Sequence, residues 1–267
     1  MMTKMTWYLP VLLGLVFPGS ASPNPGDSTV AGWVAFSVQD FDYTETFDDG
    51  SIADTEAGLL PGVNLGLSIE RNRVFAETAL SAWSGNVGYH GPADTVTGED
   101  LLDWNLLAGA EVYRHTATTV AVYAGAGYRY WERDIQSTAT LSGLFETYEW
   151  WYGLLGLRLQ RETGESVRLG ADIRLLRPVQ PEIQVEFASG FDDKDLDLGE
   201  ETGVRVALTL EKKLDGKSSY FISPWFEYWE LGRSRTGHLL QDGIVVGTVF
   251  EPMSETRNFG VNIGLVW

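Results

Sequence analysis

Ten segments of this chain alternate apolar and polar residues, most of them for 11–15 residues at a stretch. Alternation with period two marks an extended strand with two different faces. The strands of globular proteins average only about 5–6 residues, so runs of this length restrict the fold more than any other feature. The predicted strands are Ala31–Tyr43, Gly58–Glu70, Val74–Val87, Leu101–Tyr113, Thr119–Arg133, Tyr148–Gln160, Val167–Arg177, Glu201–Glu211, Tyr220–Glu230 and Glu255–Trp267. A tilted strand crosses a bilayer in about 9–11 residues, and each of these is long enough to do so.

The two faces differ consistently. In Val167–Arg177 one face carries Val167, Leu169, Ala171, Ile173 and Leu175, and the other Arg168, Gly170, Asp172 and Arg174. In Glu201–Glu211, Val204, Val206, Leu208 and Leu210 oppose Gly203, Arg205, Ala207, Thr209 and Glu211. A soluble barrel turns its apolar face inward and covers its outside with Lys and Glu. In lipid the arrangement inverts, with an apolar band outside and charge in the lumen. Tyr128, Tyr130, Trp150, Trp151, Tyr152, Phe226, Tyr228, Trp229 and Trp267 sit near strand ends, at the depth amphipathic rings prefer in a membrane. Closure into a ring removes the unpaired edges that hydrocarbon does not tolerate. The expected fold is therefore all-β, a ten-stranded antiparallel up-and-down transmembrane β-barrel. A soluble secreted barrel is the minor alternative.

The connections alternate in length. Those near 71–73, 114–118, 161–166 and 212–219 are short, and "RETGES" and "KLDGKSS" carry turn glycines. Thr44–Ala57, Gly88–Asp100, Asp134–Thr147, Pro178–Glu200 and Leu231–Ser254 read as longer loops. Short turns on one side and long loops on the other describe a barrel inserted from the periplasm, with both mature termini on the short-turn side.

The chain opens with "MMTKMTWYLPVLLGLVFPGSAS": one cation, Lys4, an apolar stretch, then small residues. This predicts a cleavable signal over residues 1–21 and a barrel over 22–267. The chain has no cysteine, which excludes a disulfide framework, thiol catalysis and cysteine-bound zinc. A net charge of −18 argues against a nucleic-acid partner.

The last residues, "FGVNIGLVW", resemble the C-terminal strand of Gram-negative outer-membrane β-barrel proteins, in which apolar residues alternate and the chain ends on an aromatic. The resemblance implies an outer-membrane location and recognition by the barrel-assembly machinery through Phe259, Val261, Ile263, Leu265 and Trp267. Lipid and lipopolysaccharide are the implied surroundings, and a monomer is expected. In size and strand count the chain also looks like the ten-stranded omptin proteases.

Turning the polar faces inward gives a lumen containing Glu77, Asp103, Asn105, Glu111, Arg129, Arg158, Arg168, Asp172, Arg174, Arg205, Glu211 and Glu227. A barrel of this size is barely wider than one filled by its own side chains, and buried charges need partners. The near balance of acids and arginines therefore predicts a salt-bridge network that plugs the lumen. A narrow, porin-like pore lined by the same charges is the alternative.

The expected outer loops are acidic: Thr44–Glu56 holds Glu45, Asp48, Asp49, Asp54 and Glu56 with no base, and Val179–Glu201 holds eight acids against Lys194. Such runs read first as solvated surface. The sharper reading is a divalent cation, with Asp193, Asp195 and Asp197 as candidate ligands. The spacing of an EF-hand is not met, because Gly199 comes one place late and Val204 stands at the twelfth position. No other cofactor is indicated.

For catalysis, the candidates are His90 and His238 in outer loops and His115 in a short turn. Omptin proteases use aspartate pairs with a His–Asp partnership; here there is no Asp-x-His, although Asp242 follows His238 by four residues. Lipid-modifying barrels use a His–Ser pair, and Ser234 and Ser254 bracket His238. The leading functional expectation is a non-enzymatic surface barrel acting in envelope structure or loop-mediated binding. A narrow channel and an omptin-like or lipid-modifying enzyme are the alternatives.

Overall fold

A computed structural model describes residues 28–140, 142–188, 190–214 and 218–267; the predicted leader at 1–21 lies outside the described residues. Ten long strands form the wall: β1 (Thr29–Thr46), β2 (Ile52–Arg71), β3 (Val74–His90), β4 (Thr95–His115), β5 (Thr118–Ile135), β6 (Leu144–Thr163), β7 (Val167–Phe187), β10 (Gly203–Lys213), β11 (Ser219–Gly232) and β14 (Met253–Val266). Between β7 and β10 lie the short β8 (Lys194–Asp197) and β9 (Gly199–Glu200). Between β11 and β14, β12 (Gly237–Gln241) and β13 (Ile244–Val249) form a separate hairpin.

Every neighbouring pair is antiparallel, and the sheet closes where β14 meets β1. Phe36 faces Ile263 and Val34 faces Leu265 across that joint. The backbones of Gly32 and Trp267 exchange two hydrogen bonds of 3.0 Å, and the Trp267 ring lies against Gly32. Trp267 thus ties the chain end into the wall.

The strands outrun the sequence reading at their loop ends. The connections expected at Thr44–Ala57, Gly88–Asp100 and Asp134–Thr147 shrink to 47–51, 91–94 and 136–143. The cause is a reversal of polarity along several of these strands. On lower β1, Val34, Phe36 and Val38 point outward while Ser37 and Gln39 point inward. Two residues on, Asp40 and Asp42 point outward, and Phe41 and Tyr43 are fully buried inside. On β7 the outward Ile173 and Leu175 give way to outward Glu182 and Glu186, with Ile183 and Val185 buried inside. An outward face that turns polar resembles a loop in sequence, yet here it is barrel wall standing in water.

The outward apolar band runs from Leu59 to Ile69 on β2 and from Trp151 to Leu159 on β6, with Leu59 66% and Leu155 60% exposed. Its height matches the run a tilted strand needs to span hydrocarbon. No soluble monomer exposes a continuous apolar belt of this extent. At its upper edge Trp104 meets Trp151 edge-on at 6.3 Å, Tyr128 lies 5.2 Å from Trp151, and Phe226 packs 4.7 Å from Phe259. Trp150, Tyr152 and Trp229, expected among these interfacial aromatics, are instead buried in the lumen. They alternate with Trp151 and Tyr228, and adjacent residues of a strand cannot share a face.

Lumen aromatics lie over glycines on the facing strand. Trp33 is paired with Gly66, Tyr152 with Gly127, Tyr123 with Gly156 and Trp225 with Gly260. A Cβ on Gly66 would sit 1.8 Å from the Trp33 ring, so only glycine allows the ring to lie flat against the wall. Replacing Gly66 by valine is expected to destabilise the barrel by about 1–3 kcal/mol through overpacking, lowering its urea midpoint. Gly153→Val, where a Cβ meets nothing within 4 Å, is expected to leave that midpoint near wild type.

Candidate functional site: a sealed lumen over a vestibule

The lower half of the lumen is a cavity of about 500 Å³, reaching from Glu70 and Arg73 at the short-turn end to Asp103, Tyr152 and Glu227 at its ceiling. Its walls carry the sequence-predicted charges in pairs. Arg158 donates to Glu77 at 2.9 Å and to Asp172 at 3.1 Å, and Arg174 donates to Asp172 at 2.8 Å. Tyr123 adds a hydroxyl bond of 2.8 Å to the same carboxylate. Lower down, Arg168 lies between Glu162 at 2.8 Å and Glu211 at 3.3 Å, and Glu111 accepts from Arg114. The strand alternation places all of these on one face, and cross-strand register brings Arg158 opposite Asp172 and Arg168 opposite Glu211.

The ceiling is built from two arginines and one carboxylate. Arg129 donates to Glu227 at 2.6 Å, and Arg205 donates to its other oxygen at 2.8 Å. The Arg129 guanidinium lies 5.7 Å from the Trp150 ring and 5.5 Å from the Trp229 ring, and Arg205 stacks 4.1 Å from Trp225. Tyr152 donates to Asp103 at 3.0 Å beside them. Guanidinium groups pack well on aromatic faces while their edges hold carboxylates. The layer therefore fills the bore with no unpaired arginine charge.

Above the ceiling the lumen is packed, with a void of only about 10 Å³ between Arg129 and Trp131. Trp131 stacks on Tyr148 at 4.7 Å, with Phe41 and Tyr43 edge-on to Trp131. Over them sits Arg133, with no exposed surface, donating to Glu45 at 3.0 Å, Glu56 at 3.0 Å and Glu146 at 2.7 Å, with Asp54 at 3.8 Å. Glu99 accepts from the Trp131 indole, and Tyr148 donates to Glu251 at 2.6 Å. Glu251 enters from segment 233–252, whose base is clamped by Ser234 accepting the Glu251 N–H at 2.7 Å. Arg233 joins this cap to Asp48 at 3.3 Å and stacks 4.1 Å over Phe250.

Sequence reasoning missed this upper cluster. It assigned Glu45, Asp54 and Glu56 to a solvated outer loop, but all three point into the barrel. The signal available was the alternation of "DTEAGLL", which continues β2 beyond the apolar band. The other loop candidates are not gathered. Asp195 and Asp197 lie on β8 opposite Gln184 and Glu182. Asp192 accepts the backbone N–H groups of Asp242 and Gly243, holding the β12–β13 hairpin. Among the described residues no group of three acidic or histidine side chains is arranged to hold a metal. His90 pairs with Asp94 at 3.1 Å in an exposed turn, His238 faces Thr248 within the hairpin, and His115 sits by Thr116 at the opposite end.

The outer-membrane protease OmpT of Escherichia coli superimposes with a TM-score of 0.64 at 9% identity, over 93% of this chain and 98% of that one. The fold is that of a Gram-negative outer-membrane β-barrel. The NalP autotransporter translocator domain of Neisseria meningitidis gives a TM-score of 0.41 at 12% identity, over 89% of this chain and 88% of that one. The Ralstonia pickettii toluene transporter TbuX gives 0.40 at 10%, over 91% and 89%. No family model matches the sequence, and no curated protein matches it.

The Arg133 cluster stands above the apolar band, where the outer wall carries Asp40, Asp42, Asp100, Glu132 and Glu149. Four buried carboxylates (Glu45, Asp54, Glu56 and Glu146) gather on one guanidinium, and two more, Glu99 and Glu251, are buried beside them on Trp131 and Tyr148. Burial and the neighbouring Glu45 push Asp54 up to about 8 against the pull of Arg133. Burial likewise pushes Glu146 up to about 7, and Glu99 and Glu251 are raised well above the usual range. Glu56, although burial raises it, is held low by Arg133. Groups raised in the fold keep protons that the unfolded chain releases near pH 4, so stability falls as pH climbs from about 4 to about 8. The melting temperature in detergent is expected to drop between pH 5 and 8.5, and Asp54→Asn is expected to flatten that drop.

Proposed function

We propose that this chain is a sealed surface barrel that acts through its water-exposed outer end, in envelope structure or binding, rather than by passing solutes. The observation that carries this reading is the continuous filling of the bore from Arg129 and Trp229 up to Arg133. The cap adds to it by closing the mouth over that core. With the short turns in the periplasm, as their length implies, the vestibule faces inward and the cap faces outward.

The outer end has the features of a presenting surface. Its wall is acidic, and the β12–β13 hairpin rises from it as a separate sheet, steadied by Asp192. Residues 1–21 serve export in this reading, and the outward column Phe259, Val261, Ile263, Leu265 and Trp267 of the closing strand serves assembly.

Planar-bilayer recording tests the seal. The wild type is expected to give no unitary conductance steps, and so is a Trp150→Ala, Trp229→Ala double variant, because the Trp131, Tyr148 and Arg133 layer above Arg129 still fills the bore. Regular steps from the wild type would replace this reading with the narrow channel.

A further inference from the structure

The outward columns of the wall end differently at the two edges of the apolar band. At the short-turn edge three of them end on cations. On β2, Leu65, Leu67 and Ile69 are followed by Arg71; on β6, Leu155, Leu157 and Leu159 by Arg161; and on β10, Leu208 and Leu210 by Lys212. Each cation is exposed and is the next outward residue after an exposed apolar one. At a rise of about 3.3 Å per residue, each lies one pleat beyond the hydrocarbon, at headgroup depth. Tyr220 pairs in register with Lys212, and Tyr113 and Trp267 mark the same edge, a depth that interfacial aromatics share.

These three cations have no acidic partner among the described residues, whereas their neighbours do. Arg114 pairs with Glu70 and Glu111, Arg168 with Glu162 and Glu211, and Lys213 with Glu162. At the opposite edge four outward columns end on acids, Val38 leading to Asp40, Leu102 to Asp100, Tyr130 to Glu132 and Trp151 to Glu149, and the outward Arg177 and Arg257 there pair with Glu200 and Glu255. The two edges therefore offer opposite charge to the headgroups around them.

We infer that the short-turn edge is a binding surface for anionic phospholipid headgroups, with Arg71, Arg161 and Lys212 as its contacts. Their long side chains reach the phosphate plane while their stems stay on the apolar wall. A guanidinium matches a phosphodiester through paired N–H donors, and a lysine offers it a point charge. The acidic edge repels the same headgroup, so the surface is confined to one leaflet. This inference needs the membrane band but not the sealed bore.

The test is electron paramagnetic resonance on the full barrel in phosphatidylcholine bilayers. A trace of spin-labelled phosphatidylglycerol or spin-labelled phosphatidylcholine reports how much of each lipid is held at the protein. The wild type is expected to favour phosphatidylglycerol about fivefold, the scale of one cation near an anionic headgroup, and to lose most of that preference in 0.5 M salt. Arg71→Gln with Arg161→Gln and Lys212→Gln is expected to bring the ratio close to one. Arg71→Lys with Arg161→Lys, and Asp40→Asn with Glu149→Gln at the other edge, are expected to keep the preference. The unboiled compact band on a gel confirms folding of each variant. Equal retention of both lipids by the wild type, or an undiminished preference in the triple glutamine variant, would overturn the inference.

Discussion

Each long strand of this barrel has to satisfy two solvents in succession. Within the bilayer the apolar residues must face out, because hydrocarbon cannot solvate charge. Above the bilayer they must face in, because water rewards their burial. Where the pleat runs on through the boundary the sequence has to swap which parity is apolar, and on β7 a bulge near Gln180 reverses the pleat instead. On β1 the swap falls between Val38 and Phe41. The filled upper lumen follows from it: the buried Phe41, Tyr43, Trp131, Tyr148 and Ile183 are the hydrophobic core of a soluble barrel set on a membrane one. No separate plug domain is needed, because the core of the upper half closes the bore of the lower.

Charge is carried through this core by pairing it at every level. Arg158 and Arg174 share Asp172, Arg129 and Arg205 share Glu227, and Arg133 gathers Glu45, Glu56 and Glu146. A buried ion pair adds little net stability over an apolar packing of equal volume, but losing one partner costs about 3–5 kcal/mol. The pairs therefore specify register more than they stabilise. Arg129 reaches Glu227 on a strand far from its own in sequence, which fixes how opposite walls face each other. The uppermost cluster differs, because its acids outnumber its base and retained protons complete the charge balance.

How much of this was legible in the sequence follows from the same change of solvent. The number and order of strands were, since the lipid-facing columns alternate without interruption. So were the lumen-facing residues in the membrane half, from Glu77 to Glu227, since parity alone assigns them. Strand ends were not, because an outward face bearing Asp40 and Asp42 looks like a loop when lipid is assumed to continue. The same assumption left Glu56 in solvent, although it is buried beside Arg133. Trp150 and Tyr152 were misplaced for a simpler cause: composition near a strand end was read without its pleat. Arg129 meets Trp150 through the β5–β6 register, but its contact with Trp229 depends on curvature around the ring, which no single strand encodes.

The joint between β1 and β14 also says something about the order of assembly. Strands β1 and β14 meet across nearly the whole chain, so the ring has no closed form until both are in place. Before that moment the growing sheet ends in two bare edges, at β1 and at the newest strand, and each displays an open ladder of peptide groups. Such edges pair readily with any other chain in the same state. Contacts this distant in sequence are also slow to form. Pairing of β1 with β14 therefore removes both edges at once, and until it forms the open sheet depends on a shielded surface.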